Sequence, residues 1–133
     1  MGGASVLTFA GLHPEWVAGV CSQNGLANHL EYENFQDAIA ASFGGGKGEV
    51  PDEYRRRSAE LQADALTMPV AIAAGGKDEA VPAASGMRLA KELQARGRPV
   101  HVLCRPEGGH STSYEDTVAG LEFVIGRALG TGE

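Results

Sequence analysis

Residues 69–82 read PVAIAAGGKDEAVP, and this stretch decides the fold. Its first part, Pro69 to Ala74, is a short apolar run that stops at Gly75-Gly76. A run of that length between turn residues is the pattern of a strand buried on both faces. Residues 83–96 follow as an amphipathic helix, with Leu89 and Leu93 on one face, Arg88, Lys91, Glu92 and Arg96 elsewhere, and Gly97 placed to cap its end. Pro99 to Cys104 (PVHVLC) repeats the strand pattern, and residues 114–129 form a closing helix with Val118, Leu121, Ile125 and Leu129 at helical spacing. Strands alternating with helices predict an α/β domain with a mostly parallel sheet, right-handed crossovers and helices on both faces, a three-layer α/β/α arrangement.

Working outward, residues 3–13 read as a mostly buried helix that stops before Pro14. Residues 16–21 (WVAGVC) read as another buried strand, bounded by Pro14 and by Asn24-Gly25. Residues 25–66 carry no strand signal. There Asn34 can cap a helix through Ala41, Gly44 to Gly48 form a flexible loop, and Pro51 opens a helix carrying Tyr54 to Leu61. The chain thus divides into a helix and strand (1–24), a helical insertion (25–66) and a regular α/β portion (67–133).

Composition narrows the function. The 133 residues have room for one domain. Seventeen acidic against eleven basic residues give a net charge of −6, and the longest basic run is Arg55-Arg56-Arg57, a solvated helix face. Nucleic-acid binding needs a clustered positive surface, so no nucleic-acid partner is expected. No apolar run approaches the ~20 residues that cross a bilayer, so no membrane partner is expected either. Cys21 and Cys104 make neither a disulfide framework nor a zinc site, and are read as buried free thiols in strands separated by another strand. The four histidines do not cluster at metal-ligand spacing, and no cofactor is expected. His13 reads as a capping or surface residue, His29 as a surface residue of the insertion, and His101 as structural. Gly44 to Gly48 is no phosphate loop, because Lys47 is followed by Gly48 and not by Ser or Thr.

In an open parallel sheet, ligands bind beyond the carboxyl ends of the strands. The loop after Ala74 offers Asp78 and the loop after Cys104 offers His110, both on one rim. A carboxylate bonded to imidazole Nδ1 fixes the tautomer needed for general-base catalysis. Asp78 has a second reading, as the cap of the helix that begins near Val81. His110 has one too, as a surface-loop residue. Glu79 reads as a solvated neighbour.

Here the residues resemble a family. Gly-Gly-Lys-Asp-Glu-Ala-Val-Pro at 75–82 resembles the acid loop of α/β-hydrolases, and Pro-Glu-Gly-Gly-His at 106–110 their histidine loop. Met1-Gly2-Gly3-Ala4, with His13-Pro14-Glu15 further on, resembles the stretch that follows the nucleophile elbow Gly-x-Ser-x-Gly. Within that superfamily, residues 52–129 look most like the prolyl oligopeptidase group and its esterase relatives, on Tyr54 to Ser58, Met68-Pro69, Val81-Pro82 and residues 89–100. The resemblance implies the C-terminal portion of an α/β-hydrolase fold, with residues 25–66 as a helical cap. It implies a serine hydrolase of ester or peptide bonds in which Asp78 orients His110 and the main-chain N–H of Met1 helps hold the oxyanion.

The triad order in this fold is nucleophile, acid, histidine. The motif therefore places the serine just before Met1, and no internal Gly-x-Ser-x-Gly exists. The chain alone is expected to be inactive. Its expected partners are a small-molecule ester or peptide substrate and the missing N-terminal half of the same domain. The contrasting reading is a short non-catalytic α/β module that binds a ligand or partner through the same rim. A three-stranded remnant is also expected to expose an apolar strand edge beside Trp16 to Cys21.

Overall fold

The computed structural model of the chain describes residues 1–130. Three parallel strands, β1 (Val20–Gln23), β2 (Val70–Gly75) and β3 (Val100–Arg105), form one sheet in the order β1-β2-β3. Val20, Val70 and Val100 lie in register across it. The helices are α1 (Gly2–Leu12), α2 (Gln36–Phe43), α3 (Pro51–Arg56), α4 (Ala84–Ala95) and α5 (Tyr114–Ala128), with 3-10 turns at Pro14–Trp16 and Ala59–Ala65. The alternation expected of residues 69–129 is present, and the sheet is wholly parallel.

The strand period of two sorts the layers. Val70 and Ile72 of β2 join Leu7 and Ala10 of α1, Leu66, and Leu89, Ala90 and Leu93 of α4 in the main core. The intervening residues Cys21 and Ala71 face α5, whose Gly120 sits so close that a Cβ there would meet the Cys21 sulfur at 3.1 Å. α4 ends as expected: Gly97 is left-handed (φ 69°), and the Arg98 N–H donates to the Leu93 carbonyl at 3.0 Å.

Several expectations need correcting. The first strand begins at Val20, not Trp16. Pro14 opens a 3-10 turn, and Trp16 is exposed, stacked on His13 at 4.7 Å. The strand extends instead through Ser22 and Gln23, whose polarity hides them from an apolar-run reading. The Ser22 hydroxyl donates to the Gly3 carbonyl at 3.1 Å, and Gln23 Nε2 donates to Thr117 Oγ1 at 2.9 Å. α1 is only half-buried, since Val6 and Phe9 are exposed. Cys104, near the end of β3, is exposed, whereas Cys21 is partly buried against Gly120 of α5, with burial pushing its thiol above the ordinary range. β2 does separate the two cysteines. α5 buries Asp116, Gly120 and Val124 and turns Leu121, Ile125 and Leu129 outward. Gly120 lets α5 approach the sheet, and Val124 packs into the space that Gly19 leaves ahead of β1.

Residues 25–66 join the main core through Ala27, Ala59, Ala63 and Leu66 and add an aromatic cluster beside it. Tyr54 is fully buried and donates to the Gly45 carbonyl at 3.1 Å. Phe43 lies edge-on to both Tyr54 and His29, under the Arg57 guanidinium at 4.4 Å. The helix expected from Pro51 to Leu61 breaks after Arg56. Ser58 is extended there, donating from Oγ to the Tyr54 carbonyl at 2.6 Å and accepting the His29 N–H at 2.8 Å. His29 is thus buried, not exposed, and its Nδ1 has no hydrogen-bond partner among the described residues. Burial, reinforced by the Arg57 charge, lowers its imidazole to about 4. Lys47 ties the glycine loop down, donating to the carbonyls of Leu30 (3.1 Å) and Tyr32 (2.8 Å) and pairing with Glu33.

Candidate active site

The two loops beyond β2 and β3 lie against one another. The Gly76 N–H donates to the Arg105 carbonyl and the Lys77 N–H to the Gly108 carbonyl, both at 2.8 Å. Lys77 and Glu107 add an ion pair across the seam. The backbones approach so closely that a Cβ on Gly75 would lie 2.2 Å from the Gly109 carbonyl oxygen. One on Gly76 would lie 2.4 Å from that of Pro106. The paired glycines are therefore required by contact between main chains.

That seam brings Asp78 and His110 together. The Asp78 side chain is 1% exposed, and its Oδ2 lies 2.7 Å from His110 Nδ1. Its other oxygen accepts the N–H groups of Ala80 (3.0 Å) and Val81 (2.9 Å). Those two bonds close a turn ahead of α4 and do not cap it: the helix starts at Ala84, with Ala83 at its N-cap position and no side-chain cap, so the capping reading of Asp78 is corrected. An ionised carboxylate only accepts, so Nδ1 carries the proton, and in the neutral ring Nε2 is then the nitrogen with the free lone pair. The His110 side chain is 43% exposed and lines an open cleft with Met1, Gly2, Gly3, Cys21 and Asn24. Met1, which precedes the first turn of α1, therefore shares a cleft with the histidine loop. Glu79 points away, exposed as expected. No serine hydroxyl among the described residues is hydrogen-bonded to His110. Among those residues there is also no metal-binding cluster of His, Cys, Asp and Glu, and no helix long and apolar enough to cross a membrane.

Three residues support the loops in roles the sequence reading does not give them; Asn34 is one, for α2 starts at Gln36 with Phe35 at its N-cap position, so Asn34 does not cap it. Tyr32 donates from its hydroxyl to the Ala80 carbonyl at 2.6 Å, and Asn34 Nδ2 donates to the same oxygen at 3.1 Å. Burial, with the Asp78 charge acting in the same direction against the Asn34 hydrogen bond, raises the Tyr32 phenol above its ordinary range. The insertion thus braces the acid loop. Asn24, at the end of β1, touches the histidine loop. The Asn24-Gly25 pair reads as a turn in sequence, and the side chain's partners are 85 and 88 residues away, beyond the reach of local patterning.

Compared with known families, residues 1–123 match the prolyl oligopeptidase family. The chain belongs to that family. It is a family of serine peptidases with the α/β-hydrolase fold, and the three strands with their flanking helices form part of that larger fold. Solved structures agree on the fold. Puromycin hydrolase superposes with a TM-score of 0.79 at 20% identity, over 99% of this chain and 21% of its own length. Acylaminoacyl peptidase from Pyrococcus horikoshii gives 0.72 at 19% identity, over 96% and 23%. Dipeptidyl peptidase 4 from Porphyromonas gingivalis gives 0.78 at 17% identity, over 95% and 18%. The chain thus spans about a fifth of the length of these solved proteins. A sequence search of curated proteins finds no match.

Proposed function

We propose that this chain supplies the acid and the base of a serine hydrolase site whose nucleophile comes from a segment preceding Met1. The observation that carries the reading is the 2.7 Å contact between His110 Nδ1 and a buried Asp78 carboxylate, with the ring open to a cleft shared with Met1. In the intact site, His110 Nε2 takes the serine Oγ proton as Oγ attacks the carbonyl carbon of an ester or peptide bond. Asp78 stabilises the resulting imidazolium without itself taking the proton. The oxyanion is met by main-chain N–H groups, that of Met1 among them, at the start of α1. The imidazolium then gives its proton to the leaving alcohol or amine, and an acyl-enzyme remains. Water, deprotonated by the same Nε2, releases the acid and restores the serine.

The insertion borders the acid loop through Tyr32 and Asn34, which supports its assignment as a cap that shapes the acyl or peptide pocket. The names of two solved relatives, acylaminoacyl peptidase and dipeptidyl peptidase 4, favour peptide-type substrates over simple esters. The test is hydrolysis of matched nitrophenyl-ester and peptidyl-nitroanilide substrates by a continuous polypeptide carrying the upstream Gly-x-Ser segment ahead of Met1. Asp78→Asn is expected to lower kcat by about 10⁴-fold with folding intact. A variant of unchanged kcat rejects the assignment. Hydrolysis by the 133-residue chain alone would move the nucleophile inside it.

A further inference from the structure

We infer that Asn24 is a positioning residue for the histidine loop, holding His110 in the orientation that meets Asp78. The inference rests on the reading of Asp78 and His110 as an acid–base pair and adds a residue that this reading does not contain.

Among the described residues, His110 and Ser111 make no main-chain hydrogen bond, so their neighbours must fix them. On the upstream side, Gly108 is tied to the acid loop through the Lys77 N–H. Downstream, Ser113 caps α5 by accepting the Asp116 N–H at 3.1 Å. Between these anchors, apart from the His110–Asp78 bond itself, the side-chain hydrogen bonds that reach residues 109–112 both end on Asn24. Its Nδ2 donates to the Gly109 carbonyl at 3.3 Å, and its Oδ1 accepts the Thr112 hydroxyl at 2.7 Å. One planar amide therefore spans the loop on either side of His110 and Ser111. The residue is nine-tenths buried, so water competes little for these bonds.

The backbone of Asn24 makes the grip rigid. It is left-handed (φ 52°), a conformation that asparagine tolerates better than most residues. Its N–H donates to the Ala73 carbonyl at 2.9 Å, prolonging the β1–β2 ladder by one residue. Ala73 lies on β2, the strand that leads into the acid loop. The amide thus refers the histidine loop to the same strand that positions Asp78. A turn residue with no such task needs neither side-chain bond, and glycine meets the left-handed requirement more easily.

The test uses the 133-residue chain and ¹⁵N NMR of the His110 Nδ1–H proton, identified by its loss in Asp78→Asn. Asn24→Gly keeps the left-handed backbone and removes the amide. It is expected to speed solvent exchange of that proton about tenfold, the cost of one net hydrogen bond, and to lower the urea midpoint by no more than that same loss. Asn24→Asp keeps the size and the acceptor for Thr112 but sets a carboxylate oxygen against the Gly109 carbonyl, and is expected to speed exchange at least as much. A residue that merely fills space would tolerate Asp. Thr112→Val leaves the Asn24 backbone untouched and is expected to give a smaller rise in the same direction. It decides the matter if Asn24→Gly fails to fold. Unchanged exchange in the folded variants overturns the role of Asn24 alone. Absence of the Nδ1–H resonance in the parent chain overturns the Asp78–His110 pair and this inference with it.

Discussion

Gly75→Ala isolates the contact that brings the acid and base loops together. The new Cβ would stand 2.2 Å from the Gly109 carbonyl oxygen, 2.5 Å from that of Gly108 and 2.7 Å from the Gly108 carbonyl carbon. All three are main-chain atoms, so no side chain can swing aside. Ordinary contact starts at 3.4 Å, and the loops must therefore part by about 1 Å. Gly109 directly precedes His110, whose 2.7 Å bond to Asp78 lengthens past hydrogen-bonding range if the whole movement falls on it. The strain and lost seam bonds should cost roughly 1–3 kcal/mol of stability. A displacement of that size should lower turnover in the completed site by about 10²-fold. Urea denaturation gives the stability cost, and the His110 Nδ1–H resonance reports the displacement behind the second figure without any catalysis. Gly109→Ala is the control, because a Cβ there meets nothing within 4 Å. The reasoning is refuted if Gly75→Ala and Gly109→Ala have the same urea midpoint and the same resonance.

Two further outcomes test the insertion. His29 resists protonation in the fold until about pH 4, whereas the unfolded chain takes up that proton near 6.5. Its contribution is constant above pH 6.5 and is lost as pH falls toward 4, where about 3 kcal/mol of stability should have gone. His29→Phe should flatten that part of a urea-midpoint profile, and a parent profile already flat between pH 6.5 and 4 contradicts it. Lys47→Met removes the donor to Leu30 and Tyr32, so limited proteolysis should begin to cut within residues 44–48 at least several-fold faster; equal cutting would show that the staple does not hold the loop.

The regular part of the fold was legible because its signals are local. The apolar runs at 69–74 and 99–104, the amphipathic residues 83–96 and Gly97 each act over a few neighbours. The acid loop was legible because Gly75-Gly76 mark a close passage whatever lies opposite, and the histidine loop because Pro-Glu-Gly-Gly-His follows the next strand on the same rim. The features that escaped are set by distant partners. Ser22 and Gln23 look unlike strand residues until Gly3 and Thr117 are beside them. His29 looks like a surface residue until Phe43 and Ser58 enclose it. α5 carries a stripe of Leu121, Ile125 and Leu129 that the described residues leave uncovered, so its period marks the helix without naming the buried face. β1 is an edge strand, as expected, with Val6 and Phe9 of α1 exposed near it. These apolar surfaces suit a chain spanning about a fifth of the solved proteins that share its fold.

The central claim is that Asp78 and His110 serve a serine supplied from before Met1. Fluorophosphonate labelling, read by peptide mass spectrometry, tests it most directly. The 133-residue chain should remain unlabelled, whereas a continuous polypeptide with the upstream Gly-x-Ser segment should be labelled once, on that serine, and only when His110 is intact. Stoichiometric labelling of an internal serine such as Ser5 or Ser111, or labelling of the longer polypeptide that survives His110→Ala, would contradict the account.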